Sequence, residues 1–190
     1  MKCLFVSIAL LGAVMSAAQT NYYAGKKVVS GTNVKYNVKE TEDYYDLSNV
    51  LNTKTYKPFL YWDGTQPDPL TQGIGFYFKN KNPGLHLLYG LFRETFSSAD
   101  LDSLKRRKDI MLLGYIIELS GDVSEVLFCI KKDNPILCAI PPDVWYALEQ
   151  KIKQYEKFIV PESSKVVQFL QGTTIVDFTK VPDSLPDKGL

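Results

Sequence analysis

Residues 110–119 (IMLLGYIIEL) are apolar at almost every position, interrupted only by Gly114 and Glu118. The run is far shorter than the ~20 apolar residues that a membrane-crossing helix needs. It reads instead as a central strand buried on both faces. The rest of the chain must then supply a sheet around this strand and layers to cover it.

Short β-prone segments are plentiful. Residues 34–39 (VKYNVK) place Val34, Tyr36 and Val38 on one face and Lys35, Asn37 and Lys39 on the other, the pattern of a half-buried strand. Residues 58–62 (PFLYW) form an aromatic strand stopped by Asp63-Gly64, with Pro-rich loop up to Leu70. Residues 74–79 (IGFYFK) alternate Ile74, Phe76 and Phe78 against Gly75, Tyr77 and Lys79. Asn82-Pro83-Gly84 suits a type II turn, and residues 85–94 (LHLLYGLFRE) then return as the partner strand. Near the end, residues 165–171 and 173–178 are two β-prone runs separated by Gly172.

Helical signals are fewer. Residues 43–51 are compatible with a short helix. Ser97, followed three residues later by Asp100, marks a helix start, and that helix runs to about Lys108. Pro141-Pro142-Asp143 opens the clearest helix, over 143–159. There Val144, Leu148, Ile152, Tyr155 and Ile159 form the apolar stripe while Glu149, Lys153 and Glu156 face away. The predicted class is α+β: a predominantly antiparallel sheet, strongly curved or barrel-like, with a long amphipathic C-terminal helix packed on it. Lipocalins have a similar order of elements, but their Gly-x-Trp signature is missing where this chain reads Asn21-Tyr22-Tyr23-Ala24-Gly25. That likeness extends to element order alone.

The N-terminus bears on compartment. Lys2 precedes an apolar run over residues 3–15, and Ser16-Ala17-Ala18 supplies the small residues of a signal-peptidase site. A signal peptide over 1–18, one globular domain over 19–178 and a loose tail over 179–190 follow, for a secreted, extracellular chain with no membrane anchor after processing. Without Lys2, the 22 basic residues fall to parity with the 21 acidic ones. Nucleic-acid binders usually carry a basic excess, which argues against such a partner. Cys129 and Cys138 remain after processing. If residues 125–130 and 136–140 are strands joined at Asp133-Asn134, the two cysteines stand opposite each other, which predicts a disulfide across a hairpin.

Catalytic signatures are sparse. His86 is the only histidine and stands among apolar neighbours, so no cofactor and no zinc or copper site is expected. No G-x-S-x-G elbow is present. Glu40, Glu42, Asp43 and Asp46 cluster in one place, and Asp100 with Asp102 in another. Glycosidases work with paired acids, but acids at helix starts also stabilise the backbone dipole. Lys105-Arg106-Arg107-Lys108 suits a solvated helix end for the same reason. With 12 Tyr, 10 Phe and 2 Trp, aromatic rings are the strongest remaining feature. The leading reading is a secreted, non-enzymatic binding protein for a small apolar molecule or an extracellular protein. Phe76 and Phe78 would line its pocket, Tyr61 and Tyr89 would be polar-tipped contacts, and His86 at most a hydrogen-bond partner. The alternatives are an extracellular hydrolase using paired carboxylates and a structural protein without a pocket.

Overall fold

The structure, a computed structural model, describes residues 20–67, 74–78 and 83–184. The predicted leader, Asn82 of the predicted turn and residues 185–190 of the predicted tail lie outside that range. Six antiparallel strands form the main sheet: β1 (Val28–Ser30), β2 (Lys35–Glu40), β3 (Tyr44–Asn49), β5 (Ile110–Ile117), β6 (Val123–Lys131) and β8 (Leu170–Asp177), in the order β1-β2-β3-β6-β5-β8. A second, two-stranded ribbon pairs β4 (Tyr77–Phe78) with β7 (Phe158–Ile159). Among the described residues four α-helices complete the fold: α1 (Pro83–Thr95), α2 (Ser98–Arg107), α3 (Pro135–Cys138) and α4 (Pro142–Tyr155).

The α+β class and the antiparallel sheet agree with the sequence pattern. The sheet is open rather than a barrel, with β1 and β8 at its edges among the described residues. The long helix is not C-terminal, because α4 is followed by β7 and β8. One register row shows how the core is built. Val38 faces Leu47, Leu47 faces Phe128, and Phe128 faces Leu113. All four side chains are buried, and their inner face is roofed by helices. Trp145 of α4 packs on Phe128 at 4.7 Å and on Phe96 at 5.3 Å, and Phe96 meets Phe92 of α1 at 5.3 Å.

Several local expectations are corrected. Residues 44–49 form a strand, not a helix, because β3 pairs on both sides, with β2 and β6, and puts Tyr45 and Leu47 into the core. The predicted hairpin over 74–94 is absent. Among the described residues of that segment, Tyr77 and Phe78 alone pair, with β7, and Pro83 opens α1 instead of a turn. Proline suits a first helical turn, whose amides have no intrahelical partner in any case. Leu88, Leu91 and Phe92 then recur at helical spacing and are all buried. Residues 58–62 contribute only a single bridge, Tyr61 to Val167. Gly172 does not divide two strands, since β8 runs straight through it.

Other expectations hold or shift slightly. Ser97 caps α2, its hydroxyl accepting from the Asp100 amide at 3.1 Å. β5 buries Met111, Leu113, Tyr115 and Ile117 on the inner face, while Leu112 and Gly114 remain partly exposed on the outer one. The outer face is covered where the segment around Thr53–Thr55 folds over it. Buried Glu125 holds that segment, accepting from the amides of Thr53 at 2.6 Å, Lys54 at 2.9 Å and Thr55 at 2.7 Å. Burial alone would raise the Glu125 pKa, but these amides and the Thr55 hydroxyl outweigh it and hold the pKa below its ordinary value. Beyond β8, Phe178–Lys180 forms a 3-10 turn and Val181 is buried, so packing continues into the segment expected to be tail.

The cysteine hairpin is also corrected. β6 ends at Lys131, and the run expected to return as a strand is the helical turn α3, capped by the Asn134 side chain. Cys129 points to the outer face in the row of Asp46 and Leu112, whereas Cys138 joins the inner core. Both are free thiols.

Candidate functional site

The phase of α4 decides what lies beneath it. The buried stripe is Trp145, Leu148, Glu149 and Ile152, not the expected stripe through Val144 and Tyr155. Glu156, four residues beyond Ile152, continues it. Two glutamates expected to face solvent are therefore inside the protein.

The first, Glu149, is fully satisfied. Tyr36 Oη donates to its Oε2 at 2.5 Å, Lys153 Nζ donates to Oε1 at 2.5 Å, and Asn49 Nδ2 lies 3.3 Å from Oε2. Beside this network lie two open hollows of about 400 and 390 Å³, sharing Asn49, Leu51 and Tyr146. Most of the polar groups in their floor are already paired: Lys54 with Glu118 at 2.5 Å, and Asn49 with both Glu149 and the Leu51 amide. Burial, followed by the nearby Glu149 charge, pushes the Tyr36 pKa far up, so Tyr36 remains a hydrogen-bond donor. This network ties α4 to the sheet.

The second, Glu156, is different. It is 1 % exposed, and its Oε1 has no hydrogen-bond partner. Burial pushes its pKa from the ordinary 4.5 to about 7, and no charged neighbour contributes. It directly follows the C-terminal end of α4, where the helix dipole also disfavours a negative charge. Tyr115 on β5 is 3 % exposed, and its hydroxyl likewise has no partner at hydrogen-bonding geometry. Burial and then the Glu156 charge hold the Tyr115 pKa well above its ordinary value, with Thr174 offsetting part of the shift.

A chain of aromatic rings extends from Tyr115. Phe158 packs edge-on against Tyr115 at 5.5 Å, while Phe76 and Phe78 lie 5.1 and 5.0 Å from Phe158. Phe76 reaches the sheet because Gly172 lacks a side chain, since a Cβ there would stand 2.2 Å from the ring. Ser164 anchors the segment that carries these rings. Its hydroxyl accepts from the Gly75 amide at 2.8 Å and donates to the Gly75 carbonyl at 2.8 Å. Tyr89 of α1 is buried nearby, its hydroxyl accepting from the Asp177 amide at 3.4 Å and its charge adding to the shift on Tyr115.

Of the residues singled out in the sequence, Phe76 and Phe78 meet on Phe158, and Tyr89 is electrostatically coupled to Tyr115 beside it. Tyr61 stands apart at its bridge to Val167. His86 lies in α1 rather than on a strand, and its side chain is outside the described residues. The acids considered for catalysis are spread out. Glu40 pairs with Lys132 at 2.6 Å, Asp46 lies beside Cys129, and Asp100 accepts from the Ser97 hydroxyl at 2.5 Å. Burial, then Asp46, pushes the Cys129 thiol up to about 12, and burial, then Asp133, pushes Cys138 to about 11, so neither is an activated nucleophile. Among the described residues no three His, Cys, Asp or Glu side chains group as a metal site, and no helix is long and apolar enough to cross a membrane.

Glu156, Tyr115 and Phe158 are the members of the site that sequence reasoning missed. The signal was present for Glu156. With α4 phased on Trp145, Leu148 and Ile152, it falls on the buried stripe.

No protein-family model matches the chain, and no curated protein matches it. Two chains of solved structures do. One is a DUF5043 family protein from Bacteroides uniformis, at 17% identity and a TM-score of 0.71, covering 84% of this chain and 95% of that one. What this similarity establishes is the fold: a mostly antiparallel, open sheet with helices, in the α+β class.

Proposed function

We propose that this is a secreted, non-enzymatic binding protein that takes a small, largely apolar molecule against Phe76, Phe78, Phe158 and Tyr115. The observation that carries the reading is that two of the three buried, unpartnered polar atoms among the described residues, Glu156 Oε1 and Tyr115 Oη, belong to electrostatically coupled residues, the third being Trp145 Nε1. Buried polar groups in folded proteins are nearly always hydrogen-bonded, because leaving one unpaired costs about 1–3 kcal/mol. Two such groups, one of them on Tyr115, together with the rings of Phe76, Phe78 and Phe158 have the composition of a ligand site: mostly apolar surface with a few polar atoms that fix orientation. Secretion is supported by Lys2, the apolar run that follows it and Ser16-Ala17-Ala18.

Binding is favoured over hydrolysis by the origin of the Glu156 shift. Burial produces it without a second carboxylate, whereas a paired-acid hydrolase needs two acids across one cleft.

The test compares native and denaturing mass spectra of the gently purified protein. A reproducible extra mass that disappears on denaturation, and that falls in Phe76→Ala or Phe78→Ala, is the expected result. The same clean protein mass in both spectra, together with no uptake from a panel of apolar compounds, would count against the reading.

A further inference from the structure

Among the described residues the site holds an acid but no base. Each lysine in the second half of α4 and just after it is engaged elsewhere. Lys151 pairs with Glu94 at 3.0 Å, Lys153 with Glu149 at 2.5 Å and Lys157 with Asp122 at 2.6 Å. Lys157 is the residue next to Glu156, yet it is drawn to the turn before β6. The titratable group that interacts electrostatically with Glu156 is Tyr115 from β5, on which Tyr89 from α1 acts in turn, and burial holds the Tyr115 pKa well above its ordinary value.

An unpaired buried carboxyl, coupled through Tyr115 to a cluster of aromatic rings, lacks one complement, a cation. Ring faces attract cations through their quadrupole, and a buried carboxylate needs a charge partner to stay ionised. We propose that the molecule bound at Phe76, Phe78, Phe158 and Tyr115 carries an ammonium head on an apolar body, with Glu156 as its counter-ion. This rests on the binding reading above and narrows it to one class of ligand. The ammonium donates to Glu156 Oε1 and to Tyr115 Oη, supplying both missing partners. Glu156 gives up its proton to solvent as the cation arrives, so the filled site is electrically neutral.

The test uses an isosteric pair of probes, 2-phenylethylamine and 2-phenylethanol, titrated calorimetrically into the full processed chain at pH 6. Repeating the titration in two buffers of different ionisation enthalpy counts protons. The amine is expected to bind at least about tenfold more tightly than the alcohol, in line with the strength of a charge-assisted hydrogen bond, and to release a proton. Glu156→Gln, which mimics the protonated carboxyl and preserves packing, should abolish both the preference and the release. Tyr115→Phe should weaken the amine while leaving the release intact. Equal binding of the two probes would overturn the ammonium assignment and leave the apolar site standing. Failure of both probes and of longer alkyl amines and alcohols would overturn the binding reading itself.

Discussion

Replacing Glu156 by glutamine should change how stability depends on pH, and the size of the change follows from its burial. The carboxyl titrates at an ordinary 4.5 when unfolded and at about 7 when folded. Its folded pKa is raised, so its contribution is fully present below pH 4.5 and is lost as pH rises through 7. Between those limits the unfolded chain ionises while the native chain keeps its proton, and native stability falls by about 1.4 kcal/mol per pH unit. The total loss is about 3 kcal/mol. Glutamine does not ionise, so the variant lacks this slope. Urea unfolding followed by the fluorescence of buried Trp145, at pH 4.5, 6, 7 and 8, measures it directly. The variant should differ from wild type by a constant at pH 4.5 and gain about 3 kcal/mol on it by pH 8. Parallel stability curves over the whole range would refute the claim that Glu156 is buried without a partner.

Other sites make independent predictions. Gly121 has φ +90° and its missing Cβ would lie 2.1 Å from the Phe158 carbonyl oxygen, so Gly121→Ala should cost at least about 2 kcal/mol, seen as a lower melting temperature. Gly25 also has a positive φ but open space around it, so Gly25→Ala should cost only about 1 kcal/mol. Glu149→Ala strands Tyr36, Asn49 and Lys153, and should destabilise by about 3–5 kcal/mol in denaturant melts, well beyond Tyr36→Phe. For Glu125 the folded pKa is lowered, so its stabilisation is present above its ordinary pKa and lost as pH falls through the folded value. Glu125→Gln should therefore flatten the acid limb of the stability curve and speed amide exchange at residues 53–55.

Much of the sheet was legible in the sequence because strand alternation is local. Residues 34–39 show their inward row directly, and Val123–Lys131 contains the β-prone run 125–130. The helix before Thr95 was not legible. Pro83-Gly84 carries the same signal in a type II turn as in a first helical turn, and Leu88, Leu91 and Phe92 follow helical spacing inside a segment apolar enough to pass for a strand. The Cys129–Cys138 hairpin failed for a related reason, since Asn134 followed by Pro135 caps a helical turn as well as it makes a tight bend. In the site, aromatic strand residues pointed to Phe76 and Phe78. The polar partners were hidden because the α4 stripe was phased one residue off, which turned Glu149 and Glu156 outward on paper. Acids on a buried stripe stand out only once Trp145 is taken as its anchor.

The most direct test is a crystal structure of the protein purified from its native source without denaturation. The expected result is a bound molecule with a polar atom about 3 Å from both Glu156 Oε1 and Tyr115 Oη, its apolar part against Phe76, Phe78 and Phe158. Glu156 and Tyr115 hydrogen-bonded to each other, with no density for a bound molecule beside them, would contradict the assignment.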